Sequence, residues 1–220
     1  MTDQPGSANF AAMALTEEGQ RVVRVEQVDD LIAPIVLAFA ADPFVRWILP
    51  GSDQFFRFFT RITRLHGERT AAHGGAWASL DGHGAAFWYP PGVHPDGDAL
   101  GAAFREAGVI DRVAGIWGLV SQHEPEQPHW YLRQIGVDPA RHSAGRGASL
   151  MQAALAEIDR RSEPSYLEAT SPRGRDFYER HNFVALAEVQ HENSAPLWPM
   201  LRLPKKHAPP TKVASRSSHL

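Results

Sequence analysis

Ile135-Gly136-Val137-Asp138-Pro139-Ala140-Arg141-His142-Ser143-Ala144-Gly145-Arg146-Gly147-Ala148-Ser149-Leu150 is the stretch on which the reading of this chain turns. A strand runs up to Val137 and is broken by Asp138-Pro139. A loop with Gly145 and Gly147 follows. Helical spacing then sets in, with Leu150, Met151, Ala154, Leu155 and Ile158 on one side of a helix over 147–161. A helix N-terminus carries about half a positive charge, and glycine lets the backbone come close to an anion. Strand, glycine loop and helix together predict a cradle for a diphosphate. The alternative is a turn that uses glycine for geometry alone. Two rival phosphate motifs fit poorly. A Walker loop needs lysine and then Ser or Thr after its last glycine, where this chain has Ala148 and Ser149. A dinucleotide fingerprint needs glycine at Leu150 and glycines close behind the strand, whereas Asp138 to Ala144 intervene.

Outward from this stretch, helices and strands alternate. Val22, Val23 and Val25 predict a strand, and Asp29 or Asp30 caps a helix with Leu31, Ile35, Leu37 and Phe39 that ends before Asp42-Pro43. After Pro50-Gly51-Ser52, the spacing of Phe55, Phe58, Phe59, Ile62 and Leu65 predicts a helix stopped by His73-Gly74-Gly75. Segments 76–80 and 85–89 flank Asp81-Gly82-His83-Gly84 as a hairpin. An irregular helix over 98–121, a strand over 129–137, a short buried strand over 166–169, a helix over 173–180 and strands over 184–190 and 197–203 complete the reading. Residues 1–20 are expected to be a flexible arm, 21–203 one domain, and 204–220 a disordered basic tail. The terminal Ser218-His219-Leu220 resembles a peroxisomal import tripeptide, a similarity taken as chance.

Composition narrows the class. The 220 residues are 43% hydrophobic and 21% charged, enough for a sizeable core in one domain. The net charge of −3 and the lack of a basic face outside the tail argue against nucleic acid. The apolar run 31–41 contains Pro34 and falls short of the ~20 residues that span a bilayer. No secretory signal opens the chain and cysteine is absent, so a cytoplasmic protein is expected. His191-Glu192 lacks the second histidine of a zinc-protease helix, and no metal is expected.

The segment 137–147 resembles the acyl-CoA loop of the GNAT superfamily of acetyltransferases, Gln/Arg-x-x-Gly-x-Gly/Ala after a strand ending in Val-x-Pro. His142, Gly145 and Gly147 stand at the three marked positions, with histidine replacing the usual Gln or Arg and Arg141 beside it. Tyr166-Leu167-Glu168-Ala169-Thr170, then Arg173 and Phe177-Tyr178-Glu179-Arg180-His181-Asn182-Phe183, is similar to the superfamily's second motif, and most similar to the puromycin N-acetyltransferase-like members. Gly174 replaces a frequent asparagine. Asn182 replaces a glycine and tolerates the same left-handed cap geometry.

The resemblance implies an α/β fold: a mixed central sheet flanked by helices, with the parallel strands 129–137 and 166–169 splayed apart. It implies acetyl-CoA as co-substrate, with its pantetheine arm against Ile135 and Val137 and its phosphates in the loop formed by His142, Ser143, Ala144, Gly145, Arg146, Gly147 and Ala148. Phe177 and Tyr178 would form the facing wall. Tyr178 would be the acid for the departing thiolate, with a core aromatic as the alternative. Glu168 would be the base, directly or through water, with an arginine partner as the alternative. Asp42, Phe44, Trp47, Trp88, Tyr89 and His94 are candidates for the acceptor pocket. The expected activity is acetyl transfer to a primary amine of a small molecule, by a monomer or homodimer. The alternatives are acetylation of a protein N-terminus or lysine, or a non-catalytic acyl-CoA sensor.

Overall fold

The computed structural model describes residues 11–15, 21–141 and 145–204. Eight strands form one sheet: β1 (Ala11–Leu15), β2 (Arg21–Arg24), β3 (Ala76–Ser79), β4 (Gly84–Tyr89), β5 (Trp130–Val137), β6 (Ser165–Ala169), β7 (Val184–Ala185) and β8 (Trp198–Arg202). Their order is β1-β2-β3-β4-β5-β6-β8-β7, and every pairing is antiparallel except β5 with β6. The helices are α1 (Asp29–Ala38), α2 (Pro43–Ile48), α3 (Ser52–Gln54), α4 (Thr60–Ala71), α5 (Gly97–Glu106), α6 (Ile110–Val120), α7 (Arg146–Arg161) and α8 (Pro172–Glu179). A π-helical turn, Phe55–Phe59, joins α3 to α4.

The sheet separates two cores. On one face Ile35 of α1, Ile62 of α4 and Ile116 of α6 pack with Phe87 of β4. On the other, Leu150, Met151 and Ile158 of α7 pack with Trp88, Trp130 and Leu167. The helical stripe predicted after residue 147 is therefore the buried face of α7. The aromatic run before α4 gains one residue in its turn, and Phe55 stacks on Phe59 at 5.2 Å and 18°. Gly108, at φ +68, divides the predicted helix over 98–121 into α5 and α6.

Three expectations change. Within the segment read as an arm, Ala11–Leu15 pair antiparallel with β2 and make the sheet's outer strand. The strand over 184–190 contracts to Val184–Ala185 plus one bridge, Val189 to Leu197. Asp42, read as a helix stop, also starts one: its carboxylate accepts the Val45 N–H at 2.9 Å and caps α2, with Pro43 in the first turn. The tail from 205 lies outside the described residues.

The feature that makes a site is in β5. Phe87 pairs with Gln134 but Trp88 pairs with Leu132, so Arg133 is an extra residue, a β-bulge. The parallel pairing with β6 stops at Leu132–Leu167, the residue before the bulge. Bulges bend a strand and increase its twist. Beyond this point β5 stays on β4 while β6 stays on β8, and a gap opens between them. Gly136 lets α1 lie against this separated end of β5. A Cβ at Gly136 would stand 2.8 Å from the Ala38 Cβ and 3.0 Å from the Ile35 Cα. Gly136→Ala is expected to destabilise the fold by ~1–3 kcal/mol, because helix and strand must move apart. Urea unfolding measures it; an unchanged midpoint would show that the contact yields freely.

Candidate active site

The gap between β5 and β6 continues into a cleft of about 470 Å³. Its floor is Ile135, Gly136 and Val137, one rim is Gly145 to Ala148, and the facing wall is Phe177 and Tyr178 of α8. Gly145 precedes α7 at φ +69 and ψ 1, a left-handed conformation that favours glycine. Gly147 has a different role. A Cβ there would meet only the Phe177 ring and the Val137 methyl at 3.9 Å, so the protein itself leaves room at this position. Of the predicted loop contacts, His142, Ser143 and Ala144 lie outside the described residues; the others line the cleft.

The cleft is basic. Arg141, Arg146, Arg173 and Arg180 line it, against the single carboxylate of Asp42. Arg146 braces the loop. Its Nε donates to Asp81 at 2.8 Å, its Nη2 lies 2.7 Å from the same oxygen, and its Nη1 donates to the Arg141 carbonyl at 3.0 Å. Against a desolvation that works the other way, hydrogen bonds from Arg146, Ser79 and the His83 N–H hold the Asp81 carboxyl down at about 2. The hairpin turn and the predicted phosphate loop are thus joined by an ion pair.

Ser171 starts α8, accepting the Gly174 N–H at 3.1 Å, with Pro172 in the first turn. Asn182 ends it at φ +66, where the Phe183 N–H reaches the Tyr178 carbonyl at 3.1 Å. Between these caps, the Tyr178 ring is fixed against Phe177 and Phe183, at 5.4 and 6.0 Å between centroids. It lines both the cleft and a second, inner cavity of about 70 Å³. Among the described residues no side chain hydrogen-bonds its hydroxyl. Burial pushes the phenol well above its ordinary range, and the charges of Asp42 and Glu168 push the same way.

The inner cavity has aromatic walls, Phe39, Phe44, Phe59, Phe104 and Trp117, and Glu168 and Thr170 line it too. Burial raises the Glu168 carboxyl; the Arg133 charge and the Tyr131 hydrogen bond, 2.8 Å from hydroxyl to carboxylate, oppose it. Glu168 thus lines the cavity, and the Arg133 charge reaches it without a hydrogen bond or ion pair to any arginine among the described residues. Behind it runs a buried polar chain. Arg133 Nη1 lies 3.5 Å from the Tyr131 hydroxyl, Arg133 Nε donates to His66 Nε2 at 3.2 Å, and His66 Nδ1 lies 2.7 Å from the Tyr89 hydroxyl. With Nε2 accepting, Nδ1 carries the proton and the ring is neutral. Burial, then the Arg133 charge, holds its pKa well below the ordinary value. Sequence reasoning missed Tyr131, Arg133 and His66. Their signal was polar side chains in a strand and a helix face that are otherwise apolar.

The acceptor candidates disperse. Phe44 lines the inner cavity, and His94 a third pocket that opens beyond Glu168. Asp42 lies on the cleft side, where its carboxylate, raised by burial, accepts from Thr170 at 2.5 Å. Tyr89 serves His66, and Trp47 donates to Asn193 at 2.9 Å. Trp88 is buried on the opposite face of the sheet, beneath α7, and is withdrawn as an acceptor contact.

Residues 101–185 match the sequence model for the Acetyltransferase (GNAT) domain. The chain is similar to the solved structure of histone acetyltransferase HPA2 and related acetyltransferase from Corynebacterium glutamicum ATCC 13032. That similarity has 26% identity and a TM-score of 0.63, over 86% of this chain and 98% of that one. Its fold is also similar to arylalkylamine N-acetyltransferase 2 from Aedes aegypti, at 13% identity and a TM-score of 0.55 over 84% and 98%. A mutant agmatine N-acetyltransferase is similar in fold at 12% identity and a TM-score of 0.53, over 83% and 98%. The match over 101–185 is to a GNAT acetyltransferase domain, and the chain is an acyltransferase. Among the described residues, no helix is long and apolar enough to cross a membrane.

The buried neutral His66 makes stability depend on pH. In the unfolded chain the ring gains a proton near pH ~6.5, while the folded chain resists protonation to lower pH. Its contribution is present in full above that value and is lost as the pH falls through it. Asp42 and Glu168, raised by burial, act in the opposite sense and are common to wild type and variant. Wild type should therefore lose more Tm than His66→Gln on acidification from about pH 7.5 to about pH 5. Parallel melting curves would remove His66 as the titrating group.

Proposed function

We propose that this GNAT-type acyltransferase moves the acetyl group of acetyl-CoA to a primary amine of a small molecule. The observation that supports this most is the position of Tyr178, which lines both the basic cleft and the inner cavity. A thioester extending along the gap would be met there by an amine from the other side.

The cleft suits the co-substrate. Four arginines and the N-terminus of α7 complement a diphosphate. The parted strands leave a slot for an extended pantetheine arm beside Ile135 and Val137, and Gly147 leaves the space that phosphate oxygens need. Glu168 takes the proton of the incoming ammonium, directly or through a water. The freed nitrogen attacks the carbonyl carbon, the C–N bond forms, the C–S bond breaks, and the nitrogen gives its second proton to solvent. The Tyr178 hydroxyl delivers a proton to the departing sulfur and is reprotonated from solvent. Acetamide, free CoA and one proton result. Burial serves both roles: Glu168 is a stronger base than an exposed carboxylate, and Tyr178 stays protonated at any pH where the amine reacts.

The puromycin N-acetyltransferase-like members are the parallel drawn from the 137–147 and 166–183 motifs, so aminonucleosides belong in an acceptor panel. The Corynebacterium relative is named a histone acetyltransferase, so a lysine peptide belongs there too. Thiol release measured across this panel tests the reading. Absence of release with every amine and peptide, in protein that binds acetyl-CoA, would overturn it.

Two variants test the parts. Gly147→Glu puts bulk and negative charge into the proposed phosphate site without disturbing packing. Acetyl-CoA affinity should fall at least about tenfold by calorimetry while the Tm holds. Gly145→Glu is a poorer probe, since the left-handed backbone would also strain the fold. Tyr178→Phe keeps the ring and removes the proton donor. Its kcat should fall about a hundredfold with acetyl-CoA binding retained. A variant as fast as wild type would transfer the acid role to water.

A further inference from the structure

Beyond Glu168, on the side away from the basic cleft, lies a pocket of about 470 Å³. Trp117 and Glu168 belong to its wall and to that of the inner cavity, so the two spaces adjoin at that pair. The cleft, the inner cavity and this outer pocket therefore stand in a row, with Tyr178 between the first two and Glu168 between the last two. The charge along the row changes sign. The cleft has four arginines and one carboxylate; the outer pocket has Glu124, Glu126 and Glu168 and, among the described residues, no arginine or lysine. The segment carrying Glu124 and Glu126 contains Pro125 and Pro128, which stiffen it over the pocket mouth. Glu124 faces His129 at 3.6 Å, whereas no ion pair to Glu126 is formed among the described residues.

We infer that the outer pocket is the acceptor entrance and that it selects amines carrying a second cationic nitrogen. The inference rests on the acetyl-transfer reading and adds the acceptor's chemical class. The reacting nitrogen goes to Glu168, where it loses its proton and attacks the thioester near Tyr178. The distal ammonium stays at the mouth, between the exposed carboxylates of Glu124 and Glu126. The apolar linker between the nitrogens lies along Trp117, Val120 and Tyr131. A neutral tail would gain nothing from the two carboxylates, and an anionic one would be repelled by them. Glu124 and Glu126 are thus specificity determinants outside the reacting centre.

The test compares straight-chain diamines with the matching monoamines, from propyl to octyl, by thiol release on the full chain. It is run on wild type and on the double variant Glu124→Gln/Glu126→Gln. Both positions are exposed, so the variant should fold, and a melting curve verifies that. Calorimetry with acetyl-CoA alone is run on both proteins. In wild type, kcat/KM for the best diamine should exceed that for the best monoamine by about tenfold or more, with the advantage shrinking as salt is added. In the variant the advantage should fall to about twofold or less, through KM with kcat kept, at unchanged acetyl-CoA affinity. Equal use of both series by wild type overturns the inference, and so does a preference that survives in the variant. Acetyl-CoA binding with neither series acetylated overturns it too. Failure of the underlying reading is seen separately: acetyl-CoA would not bind in calorimetry before any amine is added, or no amine or peptide of the wider panel would release thiol.

Discussion

Everything in the site follows from one extra residue in β5. Arg133 has no partner opposite it on β4, and the pairing of β5 with β6 ends one residue earlier, at Leu132. A regular parallel pair would close the sheet and fill the space with backbone hydrogen bonds. The bulge instead keeps β5 on its antiparallel neighbour while β6 leaves with β8. The slot between them, the adjoining cavity and the approach of α8 all depend on that separation. The same residue supplies the buried guanidinium that steadies Tyr131 and His66 and moderates the burial cost of Glu168.

The charged groups are sorted by sign around this opening, although Arg146 is paired with Asp81. Arginines surround the cleft and carboxylates the outer pocket, and the two titratable groups between them are both held toward their protonated forms by burial. Such an arrangement favours a polyanion on one side and a cation on the other, and it uses few residues to do so. The Arg146–Asp81 pair ties the start of α7 to the hairpin turn and holds that part of the wall in place.

Much of this was legible in the sequence because it depends on local rules. Strand, breaker, glycine loop and helical stripe between 129 and 161 map onto β5, the loop and α7. Asn182 takes the left-handed cap that its chemistry allows. The hairpin and the aromatic helix were read from turn residues and spacing. What escaped depends on distant partners. Pairing makes Ala11–Leu15 a strand, through β2, although its alanines carry no strand signal of their own. The Arg133 bulge is a mismatch between two strands and cannot be seen in either one. The chain from Glu168 to Tyr89 joins four elements. The aromatic residues Trp88 and Phe44 look alike in sequence, yet strand alternation and helix packing send them to opposite sides of the sheet.

The Asp42–Thr170 hydrogen bond connects residues 128 positions apart, across the mouth of the cleft. The motif-bearing part of the chain, 101–185, contains the loop, α7 and α8, but one wall of the cleft is the end of α1 with Phe39 and Asp42. The two halves of the chain are therefore not interchangeable modules. A new acceptor half grafted onto this cofactor half would have to bring its own α1, its own Gly136 contact and its own partner for Thr170. Without them the transplant would lose one wall of the cleft proposed for the acyl donor before acceptor choice came into play. Diversification of such a protein is then confined to segments that touch neither, of which the 124–129 segment over the outer pocket is one.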